Sequence, residues 1–412
     1  MKIVGLSFGG HDSAYAIFED GVLTVHEELE RHSRIKECAG DVVQFYLDRQ
    51  GSFDDVDIIA HHPHGSRDAY PDSWGIVEKL RDEGKLEIVE VGHQQGHAAN
   101  AFFSSNFSKA LIFTIDGGGW DKVDNNFFPS CWSVWSGDDT KITPLEFSFN
   151  WNLGVAWQNV TQEIFGLNGW GPPQGCQCGT VMAMAALGDD NRFYEDFKTK
   201  GNILLDANFP FDEYKTLDEQ GKFDFAASFQ RFTEERVKSE MEKWVTDETE
   251  YICLSGGVVL NSVLTGKMFD WFPHVKDIYI PPVPYDGGLA IGSGQYIVHQ
   301  LQETPRVEWE DNATPYLGLP YSKEDVLSAL ENADGIEYED ADVSVICKLL
   351  SDEKIVSVYG GGSESGRRAL GNRSILADPT NPNIKDIVNE KVKHRQWFRP
   401  FAPYIMREEV TN

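Results

Sequence analysis

Residues 91–100 read VGHQQGHAAN, and residues 111–119 read LIFTIDGGG. If the first segment is helical, His93 and His97 lie one turn apart on the same face. The second segment is typical of a buried strand that ends at a carboxylate, Asp116, before a glycine turn, and α/β folds place their ligands at such strand ends. Two imidazoles and a carboxylate in this arrangement can bind one divalent metal. The HxxxH spacing alone is a weak signal, because surface or capping histidines produce it too.

The same order of elements occurs twice along the chain. Residues 1–28 predict consecutive strands, with a loop GGHDS at 9–13 and a hairpin turn EDG at 19–21. From Ala110 a strand, a glycine turn at Gly117 and Gly118 and a second strand at 127–136 repeat this layout. Two copies separated by helical sequence predict a duplicated α/β unit with a cleft between the halves. Nucleotide-binding folds of the actin, sugar kinase and heat-shock chaperone type are built in this way and hold phosphates between two such turns.

Two later segments also predict a strand or loop followed by glycines and a helix. In CLSGGVVLN (253–261), backbone N–H groups at the helix start are expected to contact a nucleotide or anion, with simple strand–helix packing as an equal alternative. The residues of this expected contact are Ser255, Gly256, Gly257 and Asn261. In PYDGGLAIG (284–292), Asp286 is either a helix cap or a fourth metal ligand.

Composition excludes several classes of protein. The chain has 412 residues and a formal net charge of −30, which opposes tight nonspecific binding to nucleic acid or to an anionic membrane. It has no apolar run of membrane-spanning length and no basic-then-apolar N-terminus. Its six cysteines are scattered and fit reduced thiols in a cytoplasm. We therefore expect a cytoplasmic protein that does not span a membrane.

Cations are concentrated near the C-terminus of this acidic chain. They lie in GSESGRRALGNRSILADP (362–379) and KVKHRQWFRPFAP (391–403). Arginine matches the geometry of phosphate oxygens and lysine adds a point charge, so these segments indicate an anion site. The alternative is a solvated charged surface, which does not require the surrounding glycines and prolines.

These motifs resemble those of the O-carbamoyltransferases of the nodulation-protein and antibiotic-biosynthesis family, whose relatives include the hydrogenase-maturation carbamoyltransferase and the tRNA threonylcarbamoyl enzymes. The loop at 10–13, the HxxxH pair, TIDG (114–117), SGGVVLN (255–261) and DGG (286–288) are similar to its first domain. RALGNRSILADP (368–379) and KHRQWFRPFAP (393–403) are similar to its second. The resemblance implies a duplicated actin-like nucleotide- and metal-binding domain at 1–305, followed by a YrdC-like α/β domain at 306–412 that activates carbamoyl phosphate.

The resemblance also implies a reaction. The second domain would join carbamoyl phosphate to ATP, forming carbamoyl-adenylate and releasing pyrophosphate, and the first would transfer the carbamoyl group to an acceptor hydroxyl. His11 or Asp12 is the candidate base, and the metal held by His93, His97, Asp116 and Asp286 is expected to be iron, zinc or manganese, with magnesium as a further option. The cations expected to neutralise phosphate are Arg368, Arg373, Lys393, Arg395 and Arg399.

The sequence says least about the identity of the acceptor and about the oligomeric state. A sugar, an antibiotic-like molecule or a hydroxymethylated pyrimidine, free or in DNA, supplies a suitable hydroxyl, and a homodimer is an option. Two other classes of function remain open: a sugar kinase of the same fold, which would use ATP directly, and a catalytically inactive nucleotide-binding homologue.

Three departures from the family pattern qualify the resemblance. Arg367 stands where the family usually has proline before Arg-Ala-Leu-Gly, and Cys178-Gly179-Thr180 replaces a usual Glu-Gly-Lys. Family members also generally continue past the Arg-Pro-Phe-Ala-Pro motif, so we expect the chain to be a fragment or reduced form, or its second domain to be truncated.

Overall fold

The structure is a computed structural model that describes residues 1–62, 70–123, 126–200, 209–306 and 315–409. The chain divides into two compact units. Unit 1 comprises Met1–Leu317 and Ser365–Arg367, and unit 2 comprises Gly318–Glu364 and the residues from Arg368 onward. Residues 307–314, at the start of the second domain predicted at 306–412, lie outside the described residues. The short segment Ser365–Arg367 of the C-terminal sequence thus belongs to unit 1.

Unit 1 contains two five-stranded sheets. The strands of the first are β1 (Lys2–Ser7), β2 (Ala14–Glu19), β3 (Val22–Glu28), β4 (Ile58–His61) and β5 (Glu87–Glu90), in the order β3-β2-β1-β4-β5. Those of the second are β6 (Lys109–Val123), β7 (Asn126–Asp138), β8 (Lys141–Ser148), β9 (Tyr251–Ser255) and β10 (Asp277–Tyr279), in the order β10-β9-β6-β7-β8.

The two sheets have the same topology. In each, the first three strands form an antiparallel meander, and the last two are added parallel to the first strand, on its other side. Parallel additions require crossovers, and helices supply them. The expected duplication of an α/β unit is therefore confirmed.

The helices of unit 1 pack on these sheets or on one another. They are α1 (Leu29–Ser33), α2 (Val42–Gln50), α3 (Pro71–Asp82), α4 (His93–Phe103), α5 (Leu153–Glu163), α6 (Cys178–Ala185), α7 (Tyr194–Lys200), α8 (Glu219–Met241), α9 (Ser262–Gly266), α10 (Met268–Trp271) and α11 (Leu289–Gln295), which continues as a π-helical turn at Tyr296–Leu301. Within the described residues, no helix combines the length and the apolarity needed to cross a membrane.

Helices α4 and α11 pack against each other, α4 on β6 and α11 on β1. Their approach is close because glycines line it. A Cβ atom on Gly292 would lie 1.9 Å from the carbonyl oxygen of Gly96, and one on Gly5 would lie 1.8 Å from that of Ala290. This packing brings the N-terminal ends of the two helices to the same edge of the sheets.

The prediction of a glycine turn after Asp116 is wrong, because strand β6 continues through residues 117–119 to Val123. Ile115 pairs with Trp132 and Gly119 pairs with Ser130, so residues 116–118 stand opposite Cys131 alone. Glycine at 118 permits the φ of +116° that this bulge requires. The bulge takes Asp116 out of the regular ladder and turns its carboxylate toward α4.

Unit 2 is smaller. It contains helices α12 (Lys323–Glu331), α13 (Val343–Ser351) and α14 (Ile384–Val388), and an antiparallel pair, β11 (Val356–Tyr359) and β12 (Arg373–Leu376). Ser322 caps α12 by accepting a hydrogen bond from the backbone N–H of Asp325.

Candidate metal centre and transfer site

The four predicted metal ligands converge in unit 1. His93 and His97 lie on the first turns of α4, Asp116 lies in the β6 bulge, and Asp286 opens the turn before α11. One donor atom from each lies within 4.8 Å of the others. His93 Nε2 is 3.1 Å from an oxygen of Asp116, and His97 Nε2 is 3.4 Å from an oxygen of Asp286.

Neighbouring groups fix these side chains in place. The buried carboxylate of Asp121 accepts hydrogen bonds from the N–H groups of Gln94 and Gln95 and so anchors the start of α4. Asp116 accepts from the N–H of Gly118 at 3.1 Å and from that of Gly257 at 2.9 Å. Ser255 Oγ lies 3.3 Å from Nδ1 of His97, which leaves Nε2 directed at the cluster.

The chemistry of this cluster fits a transition metal. His97 is fully buried, and among the described residues its Nε2 has no hydrogen-bond partner. Burial disfavours the charged forms, yet the carboxylates of Asp286 and Asp116 raise the pKa of His93 to about 9. Burial and Asp286 act to raise the pKa of Asp116, but His93 and His97 lower it to about 2. Two carboxylates in a buried site require positive charge, and two nitrogen and two oxygen donors suit iron, zinc or manganese.

The two candidate catalytic residues lie beside this cluster. His11 Nδ1 is 2.8 Å from a carboxylate oxygen of Asp12, and its Nε2 is 3.7 Å from Asp286. Burial lowers the pKa of His11, but Asp12 and Asp286 outweigh it and raise the pKa to about 10. Asp12 is buried and also pairs with Arg367 at 3.3 Å. The structure therefore brings the loop of residues 9–13 to the metal ligands.

The predicted nucleotide-binding residues of unit 1 make internal contacts, and three of them, Gly118, Ser255 and Gly257, contact the cluster itself. The N–H groups of Gly118 and Gly257 bind Asp116, and Ser255 binds His97. Gly256 donates its N–H to Pro284, and Gly117 accepts from Asn152. Asn261 caps α9 and exchanges hydrogen bonds with Gln230. Nucleotide binding by these residues stays a prediction.

The predicted phosphate-binding cations lie in unit 2. Arg373 pairs with the buried Glu364 at 2.8 Å, and Arg395 donates to Asn389 and stacks over Phe401. Burial and the charge of Arg368 lower the pKa of Arg399, which shows that these two cations share a neighbourhood. Lys393 ends a π-helical turn that begins at Asn389. Arg373 is thus partly committed to an internal ion pair.

Two charged residues beside His11 and Asp12 were not among the predicted site residues. Glu37 pairs with Arg367 at 2.7 Å and lies far from any motif, so no sequence signal identifies it. Arg367 stands out in the sequence only because it departs from the family pattern, and that departure did not indicate that it pairs with Asp12 and Glu37.

Two family models match the chain, the carbamoyltransferase N-terminus at residues 75–294 and the carbamoyltransferase C-terminus at residues 347–412. The chain belongs to the carbamoyltransferase family. The expected family and class of enzyme are confirmed at this level.

Curated relatives of this carbamoyltransferase include nodulation proteins. Nodulation protein U of Sinorhizobium fredii is 32% identical over 489 aligned positions, which cover 100% of this chain and 81% of that protein. Nodulation protein NolNO of the same species is 30% identical, with 97% of this chain and 63% of the relative covered. NolO of Bradyrhizobium diazoefficiens is 30% identical, with 78% and 59% covered. The chain thus spans about three fifths of the length of the last two.

Two solved structures that match this carbamoyltransferase share little sequence with it. HypF of T. kodakarensis is 14% identical with a TM-score of 0.43, covering 76% of this chain and 48% of that one. Component A of the Acidaminococcus fermentans (R)-2-hydroxyglutaryl-CoA dehydratase is 14% identical with a TM-score of 0.48, covering 73% and 99%.

Proposed function

We propose that this carbamoyltransferase converts carbamoyl phosphate, ATP and water to carbamoyl-adenylate, phosphate and pyrophosphate. The carbamoyl group is then transferred to a hydroxyl of an acceptor with release of AMP, at a site whose metal would be held by His93, His97, Asp116 and Asp286. The observation that carries the proposal is the two-histidine, two-aspartate cluster, in which His93, His97 and Asp116 are buried and the Nε2 of His97 is directed into the cluster. Family membership supports the carbamoyl chemistry, and the donor set of the cluster supports the proposal that it takes place in unit 1.

The residues around the cluster have distinct tasks in this proposal. A bound metal would polarise the carbamoyl carbonyl or bind nucleotide phosphate. The His11–Asp12 pair is placed to exchange a proton with the acceptor hydroxyl, because the Nε2 of His11 lies on the side of Asp286. Ser255 and Gly257 hold His97 and Asp116, respectively, in orientation.

Activation of carbamoyl phosphate is assigned to unit 2. Carbamoyl phosphate and ATP are anions, and Arg368, Lys393, Arg395 and Arg399 would neutralise their charge while the phosphoryl bond breaks. Arg373 would contribute from its ion pair with Glu364. The acceptor is proposed to be a small molecule or nucleoside, because a net charge of −30 repels polyanions.

The test of the metal is elemental analysis of the purified protein and of a His93→Ala/His97→Ala variant. The matched control is His299→Gln, because His299 is a buried histidine whose Nδ1–H donates to the carbonyl oxygen of Thr304 rather than facing the cluster. We expect the wild type and the control to carry a stoichiometric transition metal and the double variant to lose it. An equal metal content in all three proteins would contradict the assignment of His93 and His97 as metal ligands.

The test of the reaction is pyrophosphate release from ATP in the presence and absence of carbamoyl phosphate. Release that depends on carbamoyl phosphate supports the proposal. Lys393→Ala should reduce it roughly tenfold to a hundredfold by removing a charge-assisted contact, whereas the histidine double variant should still release pyrophosphate but fail at transfer. ATP consumption that does not depend on carbamoyl phosphate but increases when a sugar is added would identify a kinase instead.

A further inference from the structure

Arg367 makes an unusual set of contacts for a residue of the C-terminal sequence. It belongs to unit 1, where its guanidinium lies 3.3 Å from Asp12, 2.7 Å from Glu37 and 4.3 Å from the ring centroid of Tyr285. Both carboxylates are buried, whereas the arginine side chain stays partly accessible. One cation therefore joins two acidic groups that are separated in sequence.

The first of these groups orients the candidate proton-transfer residue. Asp12 holds Nδ1 of His11 at 2.8 Å, so the position of the carboxylate sets the direction of the opposite ring nitrogen. Asp12 has a φ of 53°, which few non-glycine residues adopt. A buried carboxylate in such a backbone conformation needs a fixed counter-charge, and Arg367 provides it.

The second group anchors a loop. Glu37 accepts hydrogen bonds from the N–H groups of Gly171 and Cys176, both at 2.7 Å. The side chain of Asn168 ties the same loop by donating to the carbonyls of Trp170, Gly171 and Gly175. The backbone of this loop is thus held at four residues, from Trp170 to Cys176, by two polar side chains.

This anchored loop presents an aromatic ring beside His11. Trp170 is 49% exposed although its loop is fixed, and its ring centroid lies 5.6 Å from that of His11 in an edge-on orientation. An exposed, rigidly held tryptophan next to a reacting group is suited to stack against a ring of a ligand, because it offers a large apolar face at little entropic cost.

We propose that Arg367 is a positioning residue that sets the distance between His11 and Trp170, and that this pair forms the acceptor subsite for an uncharged ring carrying a hydroxyl. This inference rests on the proposed function. The ring of the acceptor packs on Trp170, and its hydroxyl is presented to His11. Arg367 touches neither the acceptor nor the metal ligands and acts through Asp12 and Glu37.

The first experiment requires no acceptor. Amide hydrogen exchange of Gly171 and Cys176 and the ¹⁵N imidazole resonances of His11 are measured in the full chain for wild type, Arg367→Met and Arg367→Lys. The matched control is Arg192→Met, since Arg192 also pairs with a buried carboxylate, Asp224 at 2.8 Å, and lies over an aromatic ring, but outside this network.

We expect Arg367→Met to speed exchange of both amides about tenfold or more and to shift the His11 resonances. Arg367→Lys keeps the charge but loses the forked geometry, so it should give an intermediate result. Arg192→Met should change neither. Unchanged exchange and unchanged His11 resonances in a folded Arg367→Met protein would overturn the inference; if that variant does not fold, the same comparison is decided by Arg367→Lys.

The second experiment separates the subsite from the overall reaction. Carbamoyl transfer is measured with methyl glucoside and with 5-hydroxymethylcytidine as the two probe acceptors. Trp170→Ala should raise KM for the accepted probe with kcat little changed, whereas Arg367→Met should lower kcat about tenfold or more with pyrophosphate release retained. Transfer by Trp170→Ala with an unaltered KM would contradict the subsite. If the wild type does not release pyrophosphate, the proposed function is contradicted. The hydrogen-exchange experiment still tests the positioning role of Arg367 in that case.

Discussion

At the scale of single residues, Glu27 shows how strongly this protein uses buried carboxylates away from the metal ligands. Tyr15 donates a hydrogen bond to it at 2.7 Å, Arg49 pairs with it at 3.1 Å, and His32 lies 3.4 Å away. Burial acts to raise the pKa of Glu27, but these three partners lower it to about 2. Because the folded pKa lies below the usual 4.5, Glu27 stabilises the fold above pH 4.5, and that contribution is lost as the pH falls towards 2.

The change that tests this is Glu27→Gln. At pH 7 the variant should unfold at a lower urea concentration than the wild type. At pH 3.5, one pH unit below the usual pKa, the difference in free energy of unfolding between the two proteins should be smaller by about 1.4 kcal/mol. Urea titrations at both pH values and constant salt measure it. A difference that does not vary with pH would show that Glu27 contributes only by packing.

The residue scale also shows what sequence can and cannot reveal. The residues His93, His97, Asp116 and Asp286 were identifiable because each follows a recognisable local pattern at a helix start or strand end, and such ends meet in an α/β fold. Glu37 was not identifiable from the sequence, because its place in the site depends on its ion pair with Arg367, 330 positions later in the chain. Pairings at such separation follow from tertiary packing, which local patterns do not encode.

At the scale of elements, the close packing of α4 on α11 positions both histidines. Gly292→Ala should place a methyl group against the backbone of Gly96, separate the two helices and lower both the melting temperature and the metal content. Gly75→Ala in α3 is the control, because a Cβ there meets nothing within 4 Å and a helical alanine is favoured over glycine by about 0.5–1 kcal/mol. Calorimetry and elemental analysis of both variants test this. Full metal content in Gly292→Ala would show that the histidines do not depend on this contact.

The strand β6 shows where element prediction failed. Three consecutive glycines after an apolar run are a turn signal, and they also suit a bulge, since both require backbone conformations that glycine adopts easily. The pairing of residues 120–123 with 126–129 of β7 distinguishes the two, and those contacts lie beyond the glycines. The duplication of the α/β unit was predictable from the repeated pattern, whereas the bulge that carries Asp116 was not.

At the scale of the whole molecule, the net charge of −30 is the dominant feature. Repulsion among so many like charges destabilises the compact state, and salt screens it. The melting temperature should therefore rise by a few degrees between 10 mM and 300 mM salt, equally for sodium and potassium chloride. Differential scanning calorimetry at fixed pH measures this. A fall with added salt would mean that favourable ion pairs outweigh the general repulsion.

The placement of residues 365–367 in unit 1 also has a consequence for how such genes evolve. A recombination event that joined the first 317 residues to the C-terminal part of a relative would import that relative's residue at position 367. The acidic residues Asp12 and Glu37 would then meet a side chain inherited from a different lineage. Positions 12, 37 and 367 are therefore expected to change together, as one heritable unit, despite their separation along the gene.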